Sequence, residues 1–124
     1  MTRTFFILGS VFGMTAILAG TFGAHGLEQT VTPALLETFD TGVRYHMYHA
    51  LALIGVAWAC EHFGGKLPVA AGWLFVIGII VFAGSLYLLA ITGARWLGMI
   101  TPIGGVAFVV GWLLLIVAGA QSRR

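Results

Sequence analysis

Apolar residues fall in long uninterrupted runs along this chain, separated by short polar punctuation. Thr4 to Ala24 is a run of 21 residues without a charge, and at about 1.5 Å per helical residue such a run covers the roughly 30 Å of a hydrocarbon core. Val69 to Ala94 and Trp96 to Ser122 are two more, each longer than the roughly 20 residues a spanning helix needs. A fourth run, Tyr45 to Cys60, has only 16 residues and carries His46 and His49 in its first turns. It spans if those rings lie near the headgroups. Ahead of it, Thr32 and Pro33 read as an N-cap followed by proline at the first helical position, where its missing N–H costs nothing. From there Glu37, Asp40, Arg44 and Tyr48 share one stripe, with Leu35, Phe39 and Val43 roughly opposite. That pattern predicts a short amphipathic helix over about 33–42 that lies at the interface and bends or runs on into the second span.

The spans are expected at about 4–24, 43–63, 69–92 and 98–120, in one membrane domain over residues 1–124. Their connections are short: Glu61 to Pro68, with Gly64 and Gly65, and Ala94 to Gly98. Short connections imply antiparallel neighbours. The predicted fold is therefore all-α, an integral membrane four-helix antiparallel bundle with the interfacial helix before the second span. Arg3 ahead of the first run resembles a signal peptide. Its length and the large residues Leu18 and Phe22 at the −3 positions of the possible cleavage sites predict a retained helix instead.

Composition adds a decisive constraint. The chain is 60% hydrophobic and 8% charged, with 18 glycines in 124 residues and a mean hydropathy of +1.02. A soluble domain of this length could not hide that much apolar surface, so the partner the composition demands is a lipid bilayer. The formal charge of +2 comes from dispersed side chains, with no basic stripe for nucleic acid. Arg3, Lys66, Arg123 and Arg124 fall on one face of the expected topology and Arg44 and Arg95 on the other. The positive-inside rule then places both termini in the cytoplasm. Cys60 is the single cysteine and excludes an internal disulfide.

Small residues recur at helical spacing in Gly9-x-x-x-Gly13, Ala16-x-x-x-Gly20 and Ala107-x-x-x-Gly111, a device that lets helices approach closely in lipid. Internal packing is the favoured use. Pro102, with Thr101 before it and Gly104 and Gly105 after, is expected to kink the fourth span and free a backbone carbonyl. Trp58, Phe63, Trp73 and Trp96 suit interfacial belts, whereas Trp112 falls mid-helix and reads as apolar bulk.

One polar concentration stands out. It comprises His25 at the end of the first span and Asp40, Arg44, Tyr45, His46, Tyr48 and His49 entering the second. His46 and His49, three apart, share a helix face and could offer two imidazoles to a metal. At about 100° per residue they point away from Glu37, Asp40 and Arg44, which leaves only His25 as a third ligand. Asp40 and Arg44, at i and i+4, are expected to pair. Hydrogen bonding across helices is the favoured role for the histidines, and no metal or cofactor is expected. Ser85, Tyr87 and Thr101 complete the candidate intramembrane polar groups. Nothing resembling a nucleophile-plus-base arrangement or a phosphate loop appears.

Gly23-Ala24-His25-Gly26-Leu27, Thr41 to Ala52 (TGVRYHMYHALA), Phe82 to Leu88 (FAGSLYL), Thr101-Pro102-Ile103-Gly104-Gly105 and Gly111-Trp112 occur in this order. The set resembles the small bacterial membrane proteins of the YgdD/YwdK type, family 423 among the domains of unknown function, related to animal transmembrane protein 256. The resemblance implies four spans in the bacterial inner membrane and carries no assigned activity, substrate or cofactor. The family pattern maps onto His25, Tyr45, His49, Ser85, Tyr87, Thr101, Pro102, Gly104 and Gly105. The family commonly has Gln where His46 stands here, which weakens a two-histidine clamp and favours a polar contact shared by His25 and His49.

Three functional classes follow. The leading one is a non-enzymatic accessory, packing or lipid-interacting module. A transporter or channel component, as a homo-oligomer or with other membrane proteins, is the second, and a metal-binding membrane protein using His25 and His49 the third. A polar interior shared by His49, Ser85, Tyr87 and Thr101 would favour transport. A dry, small-residue core would favour the accessory module.

Overall fold

The apolar runs fold as helices in the computed structural model of the protein, which describes residues 1–122. They are α1 (Thr2–His25), α2 (Pro33–His62), α3 (Leu67–Thr92) and α4 (Thr101–Gln121). Single 3-10 turns lie at Leu27–Gln29 and Arg95–Met99, and no strand occurs among the described residues. Arg123 and Arg124, which enter the charge bias, lie outside those residues.

Two elements settle what the pattern left open or misplaced. The helix over 33–42 runs on into the second span without interruption and is no separate piece: Thr32 Oγ1 accepts from the Leu35 N–H at 3.2 Å, and one helix of 30 residues runs from that cap to His62. Gly42, the natural place for a break, is instead buried against Tyr87, where an added Cβ would come within 2.8 Å of the ring. Packing there outweighs the weak helix propensity of glycine. Pro102, expected to kink a span from within, sits in the first turn of α4. Its absent N–H is one that needs no intrahelical partner, so it causes no kink and frees no carbonyl.

The stretches Thr2–Gln29, Leu67–Thr92 and Arg95–Gln121 are long and apolar enough to cross a membrane. α2 is longer than the two helices before and after it that qualify by composition, but carries Glu37, Asp40, Arg44 and Glu61. α3 is regular over Leu67–Gly78 and Gly84–Thr92, with a π-helical segment at Ile79–Ala83 between them.

Glycines set the helix contacts. A Cβ at Gly9 would stand 2.9 Å from the Ala50 carbonyl oxygen, and one at Gly23 2.9 Å from the Phe39 ring. The start of α1 therefore faces the later part of α2, and its end faces the beginning: the two run antiparallel. α3 and α4 do the same, with Gly104 against the backbone of Phe82 and Gly111 against Phe75. The small-residue spacings thus serve internal packing at Gly9 and Gly111. Phe5, Leu53, Val56 and Phe75 lie fully buried where the helices meet, and a smaller cluster joins Leu27, Phe39 and Ala90.

A candidate functional site of three polar links across the helices

α2 presents His46 and His49 inward and Glu37, Asp40 and Arg44 outward, as their angular separation requires. Arg44 does not pair with Asp40. Its guanidinium donates to Thr41 Oγ1 at 3.2 Å, one turn back, and no Asp40–Arg44 ion pair exists among the described residues. Both charges lie on an exposed face, where a water-accessible ion pair contributes little.

His46 is buried between α1 and α3. Its Nδ1 meets the Tyr87 hydroxyl at 2.8 Å and its Nε2 meets Thr15 Oγ1 at 3.0 Å. Thr15 directs its one hydroxyl proton to the Phe12 carbonyl at 3.0 Å, so its oxygen accepts from His46. The bonds then run in one direction: Tyr87 O–H donates to Nδ1, Nε2–H donates to Thr15, and Thr15 donates to the α1 backbone. A neutral imidazole satisfies every member of this chain.

His49 is also buried, its ring stacked on Phe108 with centroids 3.6 Å apart and planes 8° from parallel. Its Nδ1 lies 2.9 Å from the Tyr45 carbonyl oxygen, and its Nε2 receives the Trp112 indole N–H at 3.0 Å. A carbonyl only accepts and an indole only donates, which fixes a neutral ring protonated on Nδ1. Neither nitrogen is left for a metal. This link joins α2 to α4.

The third link joins α3 to α4. Ser85 Oγ and Thr101 Oγ1 are 2.6 Å apart, Ser85 reaches the Phe82 carbonyl at 2.9 Å, and Thr101 reaches that of Leu97 at 3.3 Å. Two protons serve three contacts, and the two shorter ones are satisfied together if Thr101 donates to Ser85 and Ser85 to Phe82. No buried side-chain nitrogen or oxygen lacks a partner among the described residues.

The remaining candidates fall outside these links. His25 is exposed at the end of α1 and makes no bond to His49, so the expected contact between those two is not formed. Tyr48 lies exposed beside Tyr45, their ring centroids 5.6 Å apart. Pro102 and Gly105 lie in the first turns of α4, next to Thr101 in the chain, and add no hydrogen bond to the hydroxyl pair. Among the described residues no three His, Cys, Asp or Glu side chains converge as metal ligands. Nor do His49, Ser85, Tyr87 and Thr101 share one polar interior: they divide among three separate links. Trp112, read from sequence as bulk, is a hydrogen-bond donor at the centre of one of them, and Thr15 had no sequence signal beyond its hydroxyl.

Residues 19–105 match the family model described as protein of unknown function (DUF423). The chain belongs to this family. It is 46% identical over 120 residues to the UPF0382 membrane protein YwdK of Bacillus subtilis (strain 168), covering 96% of this chain and 98% of that one. A UPF0382 membrane protein of Staphylococcus epidermidis is 43% identical, with 94% of both chains covered. Another from Staphylococcus aureus (strain bovine RF122 / ET3-1) is 45% identical, also with 94% of each covered. No solved structure matches. The family is one of membrane proteins, which places this chain in a lipid bilayer; no activity comes with that membership.

Proposed function

We propose that the protein is a non-enzymatic accessory of the bacterial inner membrane, a four-helix bundle with both termini in the cytoplasm that packs against or organises lipid. One observation carries the reading. The buried polar groups His46, His49 and Ser85 are each bonded to a side chain of a neighbouring helix, with both nitrogens of each imidazole engaged. Groups committed in this way act as interhelical fasteners in a medium that offers no competing water. A metal site needs an imidazole nitrogen free to ligate, and neither ring offers one. The α2 charges Glu37, Asp40 and Arg44 on the exposed face suit a helix end that emerges from the hydrocarbon into the headgroup layer.

The test is proton and cation flux into proteoliposomes holding the purified chain, read with a pH-sensitive dye and paired with native mass spectrometry in mild detergent. The expected result is flux equal to empty liposomes and a metal-free protein. Flux above that baseline that His46→Gln abolishes would replace this reading with transport. Stoichiometric metal lost on His49→Ala would replace it with a metal protein.

A further inference from the structure

Beside the His49–Trp112 bond, α2, α3 and α4 leave a groove of about 460 Å³ open on the outside of the protein, within the range of small-molecule sites. Tyr45, Phe82, Pro102, Gly105, Val109 and Trp112 form its walls. Its rim residues Val106 and Val109 are 62% and 69% exposed, so the groove is continuous with the surface that meets lipid. Its length is informative. Pro102 stands in the first turn of α4 and Trp112 ten residues further on, a rise of about 15 Å, half of a hydrocarbon core of roughly 30 Å. That is the depth of one leaflet.

The groove also holds a donor. The Tyr45 ring packs on Phe82 at 4.8 Å and remains 39% exposed, and among the described residues its hydroxyl has no hydrogen-bond partner. Phe82 lies against Gly104, two residues from Pro102, so this ring belongs to the shallow half of the groove. A phenol at that level of a bilayer finds its acceptors among the glycerol-ester carbonyls of lipids rather than in water.

We propose that the groove holds one acyl chain of a bilayer phospholipid lengthwise, with the Tyr45 hydroxyl donating to an ester carbonyl of the same molecule. This deepens the lipid-interacting part of the function proposed above and rests on it. Gly105 keeps the groove open. A Cβ there would meet nothing nearer than the Phe82 ring at 3.8 Å, so the backbone accepts a side chain at 105 and the groove receives it.

The experiment uses the full chain in dodecylmaltoside with a molar excess of dioleoylphosphatidylglycerol, and native mass spectrometry counts the lipid retained. The wild type is expected to keep one lipid per chain. Gly105→Leu should reduce retention about ten-fold, equivalent to roughly 1.4 kcal/mol. Tyr45→Phe should reduce it about three-fold, the worth of one neutral hydrogen bond. Val11→Phe, on an exposed face of α1, should leave it unchanged. Val109→Trp fills the same space from the rim and serves if Gly105→Leu does not fold. Equal retention by wild type and a folded groove-filling variant overturns the proposal. A wild-type dimer that Gly105→Leu separates also overturns it and assigns the groove to a second copy. Failure here with liposome flux still at baseline leaves the accessory function standing; flux above baseline removes that function whatever the lipid count.

Discussion

The bond between His49 and Trp112 can be isolated by replacing His49 with alanine and Trp112 with phenylalanine, singly and together. His49→Ala removes a ring stacked at 3.6 Å on Phe108 and leaves the indole N–H of Trp112 without its acceptor. Loss of the aromatic pair is worth about 0.5–1.5 kcal/mol and an orphaned donor about 1–3 kcal/mol, so a destabilisation of about 1.5–4.5 kcal/mol is expected. Trp112→Phe keeps an aromatic ring beside Phe75, whose centroid lies 5.0 Å away, and strands only the His49 Nε2 lone pair. About 1–2 kcal/mol is expected for that change. The double variant has no partner left to strand, so it should be less damaged than the sum by a coupling of about 0.6–1.7 kcal/mol, the range for hydrogen bonds between helices in membranes. The assay is reversible unfolding in dodecylmaltoside with rising sodium dodecyl sulfate, followed by far-ultraviolet circular dichroism so that loss of the indole does not alter the signal. Additivity within about 0.3 kcal/mol would mean that the two side chains do not interact, and the link between α2 and α4 would be refuted.

Two further outcomes follow from the same structure. Gly104→Ala should destabilise the protein by about 1–3 kcal/mol because its methyl would stand 2.5 Å from the Phe82 backbone nitrogen, whereas Gly105→Ala should be neutral or slightly stabilising; equal melting temperatures for the two variants would contradict the α3–α4 contact. Tyr87→Phe leaves the ring volume and strands His46 Nδ1, so the same unfolding assay should show a loss of about 1–2 kcal/mol, and an unchanged transition would break the directional chain through His46.

That α1, α3 and α4 are long and apolar enough to cross a membrane was legible because charge-free length is a one-dimensional property. α2 was harder to read, since its polar stripe and its apolar stretch suggested two elements, and only the fit of Gly42 against Tyr87 shows why the helix continues. Pro102 illustrates a different difficulty. A charge-free run from Trp96 to Ser122 gives no sign of where a turn ends and a helix begins, and the proline marks that point. The inward direction of His46 and His49 followed from their angle to Asp40 and Arg44. Their partners did not, because Thr15, Tyr87 and Trp112 lie 31, 41 and 63 positions away and meet them only through the register of packed helices. The resemblance, by implying another residue at 46, pointed away from a position that the fold uses centrally.

The π-helical segment of α3 bears on how this protein could have changed over time. Such a segment carries one residue more than the α-helical path would over the same span, so Ile79–Ala83 acts as a phase setter for everything after it. Losing one residue there would leave plain α-helix over the same span, so Ser85 and Tyr87 would keep their directions toward Thr101 and His46. Losing one from the regular turns of Leu67–Gly78 would instead turn the two parts of α3 by about 100° relative to each other. The stretch between Gly78 and Gly84 is thus the place where this helix can shorten without separating from α2 and α4.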